Sequence, residues 1–180
     1  MIAISTLANE YDCDKPCKIN KEDVTINGIK LFYSKFEDAY RIFGPTEIYS
    51  PMENRSSYIC YTSTDKNDQT AIVFGSYNDI DIVEIYKYKS QVFPLIKCSK
   101  SSKINKNIHL NSGLKLGTTK REFNKMNNNT IYNTFEEIST FECCSVKTKE
   151  CKGIISTYIT TKLSEDKIYY IHTKHTEYCE

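Results

Sequence analysis

The chain has 180 residues, enough for one medium domain or for two small ones that share an interface. Its formal charge of +1 argues against a general electrostatic grip on nucleic acid or anionic lipid. No apolar run approaches the length at which a helix crosses a bilayer.

Eight cysteines fall at Cys13, Cys17, Cys60, Cys98, Cys143, Cys144, Cys151 and Cys179. An even count without repeated Cys-x-x-Cys pairs points to disulfides rather than metal ligands, and hence to an oxidising compartment, secreted or periplasmic. Eight cysteines allow about 105 full pairings, so connectivity stays open. Residues 1–23 form a tail in which Cys13 and Cys17 close on each other or tie the tail to the body. The small residues near Ala8 suit either a trimmed signal remnant or an expression start.

The first repeat is expected over 24–90. Val24, Ile26, Ile29 and Leu31 read as a short extended segment leading into a helix. In Gly28-Ile29-Lys30-Leu31-Phe32-Tyr33-Ser34-Lys35-Phe36-Glu37, Ser34 is placed to cap that helix and Glu37 to close the cap. Phe36, Ala39, Tyr40 and Phe43 share one helical face, and Gly44-Pro45 stops it. Strands follow over 58–62, 71–75 and 82–88, separated by polar turns, as in an antiparallel meander. Alternation sends Val83 and Ile85 to one face and Ile82, Glu84, Tyr86 and Tyr88 to the other. Residues 91–107, rich in Lys and Ser, read as a basic linker.

The second repeat is expected over 108–180. Gly113-Leu114-Lys115-Leu116-Gly117-Thr118-Thr119-Lys120-Arg121-Glu122-Phe123 repeats the strand-to-helix signal. Gly28 with Gly113, Leu31 with Leu116, Ser34 with Thr119, and Glu37 with Glu122 all fall at one spacing. Thr118 or Thr119 can cap here, and Glu122 completes a capping box with Thr119. Phe123 and Met126 give a weaker apolar stripe, ended by Asn127-Asn128-Asn129. Strands follow over 141–146, 153–160 and 167–173, with Ile82 and Ile85 matched to Ile168 and Ile171. Adjacent Cys143 and Cys144 face opposite sides of a strand and so serve different bridges. Cys151 reaches one of them, and Cys179 pins the chain end; such a bridge typically contributes ~2–4 kcal/mol.

The fold class is therefore α+β, with two similar repeats, each a helical segment packed on an antiparallel meander. The helix signature Gly117-Thr118-Thr119-Lys120-Arg121-Glu122-Phe123 and the helix end Ile42-Phe43-Gly44-Pro45 resemble a module of the small lipoprotein of the outer-membrane β-barrel assembly machinery. In tandem form it resembles the β-lactamase inhibitor proteins, in which two such units share a concave sheet. Phe32 stands where the first copy would carry its second glycine. The resemblance implies a fold and a binding role rather than a particular target.

No nucleophile elbow, phosphate-binding glycine loop or His-Glu-x-x-His occurs. His109, His172 and His175 are read as structural or solvated, because His172 and His175 face opposite sides of a strand. Glu136-Glu137 and Asp79 with Asp81 are read as surface or turn residues. No metal, cofactor or catalytic residue is expected. Tyr86, Tyr88, Tyr158 and Tyr170 are the candidate partner face, since rigid rings with polar tips give contact area at low entropic cost. The expected function is a non-catalytic, inhibitor-like protein-binding module. The alternatives are a structural component of an envelope or surface assembly, and a small-ligand carrier or enzyme whose site is unrecognised.

Overall fold

The computed structural model describes residues 24–31, 33–51, 56–87, 97–126, 130–133, 137–147 and 152–179, with side chains described up to residue 126 and again over 158–174. Cys13, Cys17, Tyr88 and Cys151 lie outside these residues, as do the side chains of Cys143, Cys144, His175 and Cys179.

Three strands rich in β-branched and aromatic residues form the expected first meander: β1 (Ser57–Ser63), β2 (Thr70–Ser76) and β3 (Ile80–Lys87). Side-chain alternation divides them between two faces. Ile59, Tyr61, Ile72, Phe74, Val83 and Ile85 join one large apolar cluster, while Cys60, Ala71, Val73 and Tyr86 join a smaller one on the opposite face. Gly75 is required by close approach. A Cβ there would stand 2.9 Å from Cε1 of Tyr58, its cross-strand partner, so the ring lies on bare backbone.

The helices α1 (Phe36–Phe43) and α2 (Lys120–Met126) pack on the larger cluster. Ala39 and Phe43 of α1 are buried, with Phe36, Tyr40 and Ile42 packed around them, so the predicted stripe holds. The Phe43 ring lies 5.2 Å from Tyr61 and 5.7 Å from Phe74, centroid to centroid. The Tyr61 hydroxyl donates to the Gly44 carbonyl at 2.8 Å and fastens the helix end to β1. Burial pushes the Tyr61 phenol well above its usual pKa, which keeps it a donor. In α2 only Phe123 is buried; Met126 is exposed and does not extend the stripe.

The caps differ from expectation in the first copy. The N-cap is Lys35 rather than Ser34, and its backbone N–H donates to Asp38, not Glu37, at 2.8 Å. In the second copy Thr119 caps as expected: its hydroxyl accepts from the Glu122 N–H at 3.2 Å, and the Glu122 carboxylate accepts the Thr119 N–H at 2.8 Å. The Thr119 N–H and the Thr119 hydroxyl both donate to the Glu122 carboxylate and hold that carboxyl below its usual range. The segment read as extended before α1 is instead a tight turn. Ile26 and Ile29 exchange both backbone hydrogen bonds around Asn27 and Gly28, at φ 48° and 84°. Its apolar residues Val24, Ile26, Ile29 and Leu31 are all buried.

The C-terminal half contributes β5 (Thr130–Asn133), β6 (Glu137–Lys147), β7 (Lys152–Ser164) and β8 (Lys167–Cys179), each antiparallel to the next. β8 also pairs antiparallel with β3, from Ile82 opposite Lys174 to Tyr86 opposite Tyr170. With the short edge strand β4 (Ser99–Ser101), one eight-stranded sheet results, in the order β4-β1-β2-β3-β8-β7-β6-β5. Ile159, Leu163, Ile168 and Ile171 join the same cluster as the first meander, so the described residues of both halves share one core.

The stretch read as a basic linker is in part a strand. Ser99–Ser101 forms β4, which pairs parallel with β1. Ile104 and Ile108 are buried in the main core. Cys98 bridges to Cys60 on the neighbouring strand, with Cα atoms 4.5 Å apart. Asp68, in the β1–β2 turn, clamps this stretch by accepting the Thr70 N–H at 2.9 Å and the Lys106 N–H at 2.6 Å. Burial alone would raise its pKa, but those hydrogen bonds outweigh it and hold the carboxyl below its ordinary value. A depressed carboxylate contributes stability above its unfolded pKa and loses it as pH falls through the folded value. Asp68→Ala should therefore lower stability at neutral pH, with the gap to wild type closing in acid below the ordinary Asp range. Urea titrations across pH measure this; a gap that does not change with pH would contradict it.

The two halves share local details. The Ser34 hydroxyl accepts the Lys30 N–H at 3.0 Å, and the Thr118 hydroxyl accepts the Lys115 N–H at 3.3 Å. The Ile80 N–H donates to the Ser34 carbonyl at 2.8 Å, and the Ile168 N–H to the Thr118 carbonyl at 2.9 Å. One residue beyond each Ile the register shifts: Asp81 has no partner on β2, and Tyr169 none on β7.

Candidate functional site

The sheet face turned away from the helices carries the chemistry. Strand register arranges it in rows. The central row runs Cys60, Val73, Glu84, His172, Thr160 across β1, β2, β3, β8 and β7. On one side lie Thr62, Ala71, Tyr86, Tyr170 and Lys162; on the other lie Tyr58, Gly75, Ile82, Lys174 and Tyr158.

Glu84 sits at the centre, where β3 meets β8, and is 5% exposed. Its Oε1 accepts from Nδ1 of His172 at 2.9 Å and from the Tyr170 hydroxyl at 3.2 Å. Its Oε2 is buried without a hydrogen-bond partner. An ionised carboxylate only accepts, so Nδ1 of His172 carries the proton and Nε2 is the ring atom left for other contacts. Burying a carboxylate is costly unless it is paired, which makes His172 its principal compensation.

Asp81, the bulged residue, has its Oδ1 buried without a partner. Burial raises its pKa, with its own backbone N–H and Lys174 pulling the other way. Tyr58 feels both acids: burial first, then the charges of Glu84 and Asp81, raise its pKa. Lys162 Nζ stands 5.6 Å from the centre of the Tyr170 ring, a cation–π distance. The Tyr86 hydroxyl lies 4.0 Å from Sγ of Cys60 beside the disulfide.

The expected Tyr face is thus mixed. Tyr86, Tyr158 and Tyr170 occupy this face, but Tyr86 is 2% and Tyr170 7% exposed. Both rings are buried, so they do not form a contact layer by themselves. Tyr158 is half-buried. Sequence reasoning missed the Glu84–His172 pair. Its signal was a lone acid among Val83, Ile85 and Tyr86, an odd residue for a strand buried on both sides. His109 lies apart, exposed, with Nδ1 2.8 Å from the Asn107 carbonyl.

The only cysteines with described side chains are joined as Cys60–Cys98, so among the described residues no thiol is available to His172. No group of His, Cys, Asp and Glu among the described residues could hold a metal ion. No helix among them is long and apolar enough to cross a membrane. No protein-family model, curated protein or solved structure matches the chain.

Proposed function

We propose that this chain is a non-catalytic protein-binding module of an oxidising compartment, secreted or periplasmic, which docks a partner on the helix-free face of its sheet. The observation that carries this reading is the part of that face on β7 and β8, where exposed Lys162 and Lys174 and half-buried Tyr158 and His172 lie beside the buried Glu84 and Tyr170, with His172 hydrogen-bonded to Glu84. A pre-ordered surface binds with less ordering cost than a mobile one. The Cys60–Cys98 bridge suits an oxidising compartment.

The module arises by duplication of one helix-plus-meander unit, as in the inhibitor proteins it resembles. Support comes from the paired turns, hydroxyl loops and bulges described above. They match Ser34 with Thr118 and Ile80 with Ile168, a shift from the alignment that matched Ile82 with Ile168. In that register Glu84 and His172 are equivalent positions that face each other across the pseudo-twofold axis. Identical acids there would repel; an acid and a base attract.

Capture from extracellular or envelope extract tests the reading, comparing wild type with Tyr158→Ala and with Met126→Ala on the helix side. The expected result is a partner lost with Tyr158→Ala and kept with Met126→Ala. Loss only with Met126→Ala would overturn it.

A further inference from the structure

We infer that residues 1–23 of this chain occupy the open edge of its sheet along β6, held there by disulfides from Cys13 and Cys17 to cysteines of the C-terminal half. This rests on the oxidising compartment proposed above. The two edges of the sheet differ among the described residues. At one edge, Tyr49 exchanges both backbone hydrogen bonds with Tyr58 of β1 at 2.8 Å, β4 pairs with the end of β1, and Cys98 is bridged to Cys60. At the other, β5 pairs with β6 only from Ile138 to Thr140, and Phe141 to Lys147 have no described strand on their outer side. A bare edge of that length is a template for wrong pairing, and folded proteins cover such edges. Cys143 and Cys144 stand in the middle of it.

Backbone geometry limits the bridges. A disulfide joins Cα atoms about 4.4–6.8 Å apart and does not reach beyond about 7 Å. Cys143 and Cys144 are neighbours in a regular strand, with Cα atoms about 3.8 Å apart, too close to bridge each other. Cys179 lies opposite Gly153 of β7, which lies opposite Val146 of β6. β7 therefore holds Cys179 two strand spacings from β6, about 9.5 Å, too far to bridge Cys143 or Cys144. Cys60 and Cys98 are taken by each other. The partners left to Cys143 and Cys144 are Cys13, Cys17 and Cys151, of which Cys151 serves one at most. At least one bridge thus joins the tail to β6. A Cys13–Cys17 bridge is excluded too, since it would leave Cys143 and Cys144 with Cys151 alone. Full pairing within one chain sends both tail cysteines to the C-terminal half, much as Cys98 is stapled to β1 at the far edge. With both edges covered, a partner adds no strand to the sheet and meets its face instead, in keeping with the docking reading.

Tryptic digestion of the full oxidised chain without reductant, followed by mass spectrometry, tests the bridges. Trypsin does not cut Lys15-Pro16, so Cys13 and Cys17 leave on one peptide. The expected product is that peptide joined by disulfide to the one that carries Cys143 and Cys144. A tail peptide closed on itself, or released with free thiols, would overturn the inference. So would a covalent dimer on a non-reducing gel in which the tail of one copy is linked to β6 of another. Thiol alkylation in denaturant separates the two readings. Eight free thiols would sink the compartment reading itself, whereas eight oxidised cysteines paired otherwise sink only the inference. Hydrogen exchange reads the edge. Between Phe141 and Lys147, the amides not bonded to β7 should be protected in the oxidised chain, and should exchange roughly tenfold faster or more in Cys13→Ser with Cys17→Ser. Unprotected outward amides in the oxidised wild type would leave the edge open to a partner's strand or a second copy, and would overturn the placement.

Discussion

Replacing Cys60 and Cys98 together by alanine should lower the unfolding free energy by about 4 kcal/mol. The bridge closes a loop of sequence separation 38. In the chain-entropy account, opening such a loop frees the unfolded chain by that amount. The native state loses a constraint too. The bridge sits where β4 runs parallel to β1, and a parallel pair of this kind covers only Tyr61 to Ser63 opposite Ser99 to Ser101. Released from Cys60, the stretch that carries Ile104 and Ile108 is held by that short ladder, by the Asp68 clamp and by its own burial. Denaturant melts of the oxidised wild type and the double variant measure the effect. A difference under about 1 kcal/mol would show that the bridge constrains little in either state.

His172→Ala should cost about 3 kcal/mol, because it strands the buried Glu84 carboxylate with only the Tyr170 hydroxyl. The figure is at the low end for breaking a buried pair, since the His172 side chain is 23% exposed and water can reach part of the gap. Glu84→Gln should cost less, about 1 kcal/mol. The amide oxygen still accepts from Tyr170 and from a neutral His172, and no charge is left buried. Glu84→Gln combined with His172→Ala should be more stable than His172→Ala alone, which is the signature of a stranded charge. Equal losses in all three variants would mean that the pair is not an electrostatic unit.

Much of the fold was legible because its periods are clean. The α1 stripe of Ala39 and Phe43 and the alternation of Val83 and Ile85 against Glu84 and Tyr86 appear as the residue types dictate. The Thr119–Glu122 box was legible because it is local. The first cap was not, because Lys35 has no side-chain acceptor and its backbone N–H alone is used, so the eye settles on Ser34. β4 was hidden by its brevity and its Lys and Ser content; only Ile104 and Ile108 betray burial, and they lie beyond the strand. The Cys60–Cys98 pairing and the Glu84–His172 pairing depend on register between segments far apart in the chain. No local pattern encodes either. Tyr86 and Tyr170 lie on the face away from Val83 and Ile85, as alternation requires, but their burial is not written in the strand pattern.

The account depends on two meanders being joined at β3 and β8 into one sheet over one core. Native-state hydrogen exchange of the oxidised chain reads this directly. The amides of Val83 to Tyr86 and of Tyr170 to Thr173 should exchange only with global unfolding, at the same free energy as those in the middle of β2. Protection on β2 that outlasts β8 by several orders of magnitude, with β6, β7 and β8 opening as a separate unit, would contradict it.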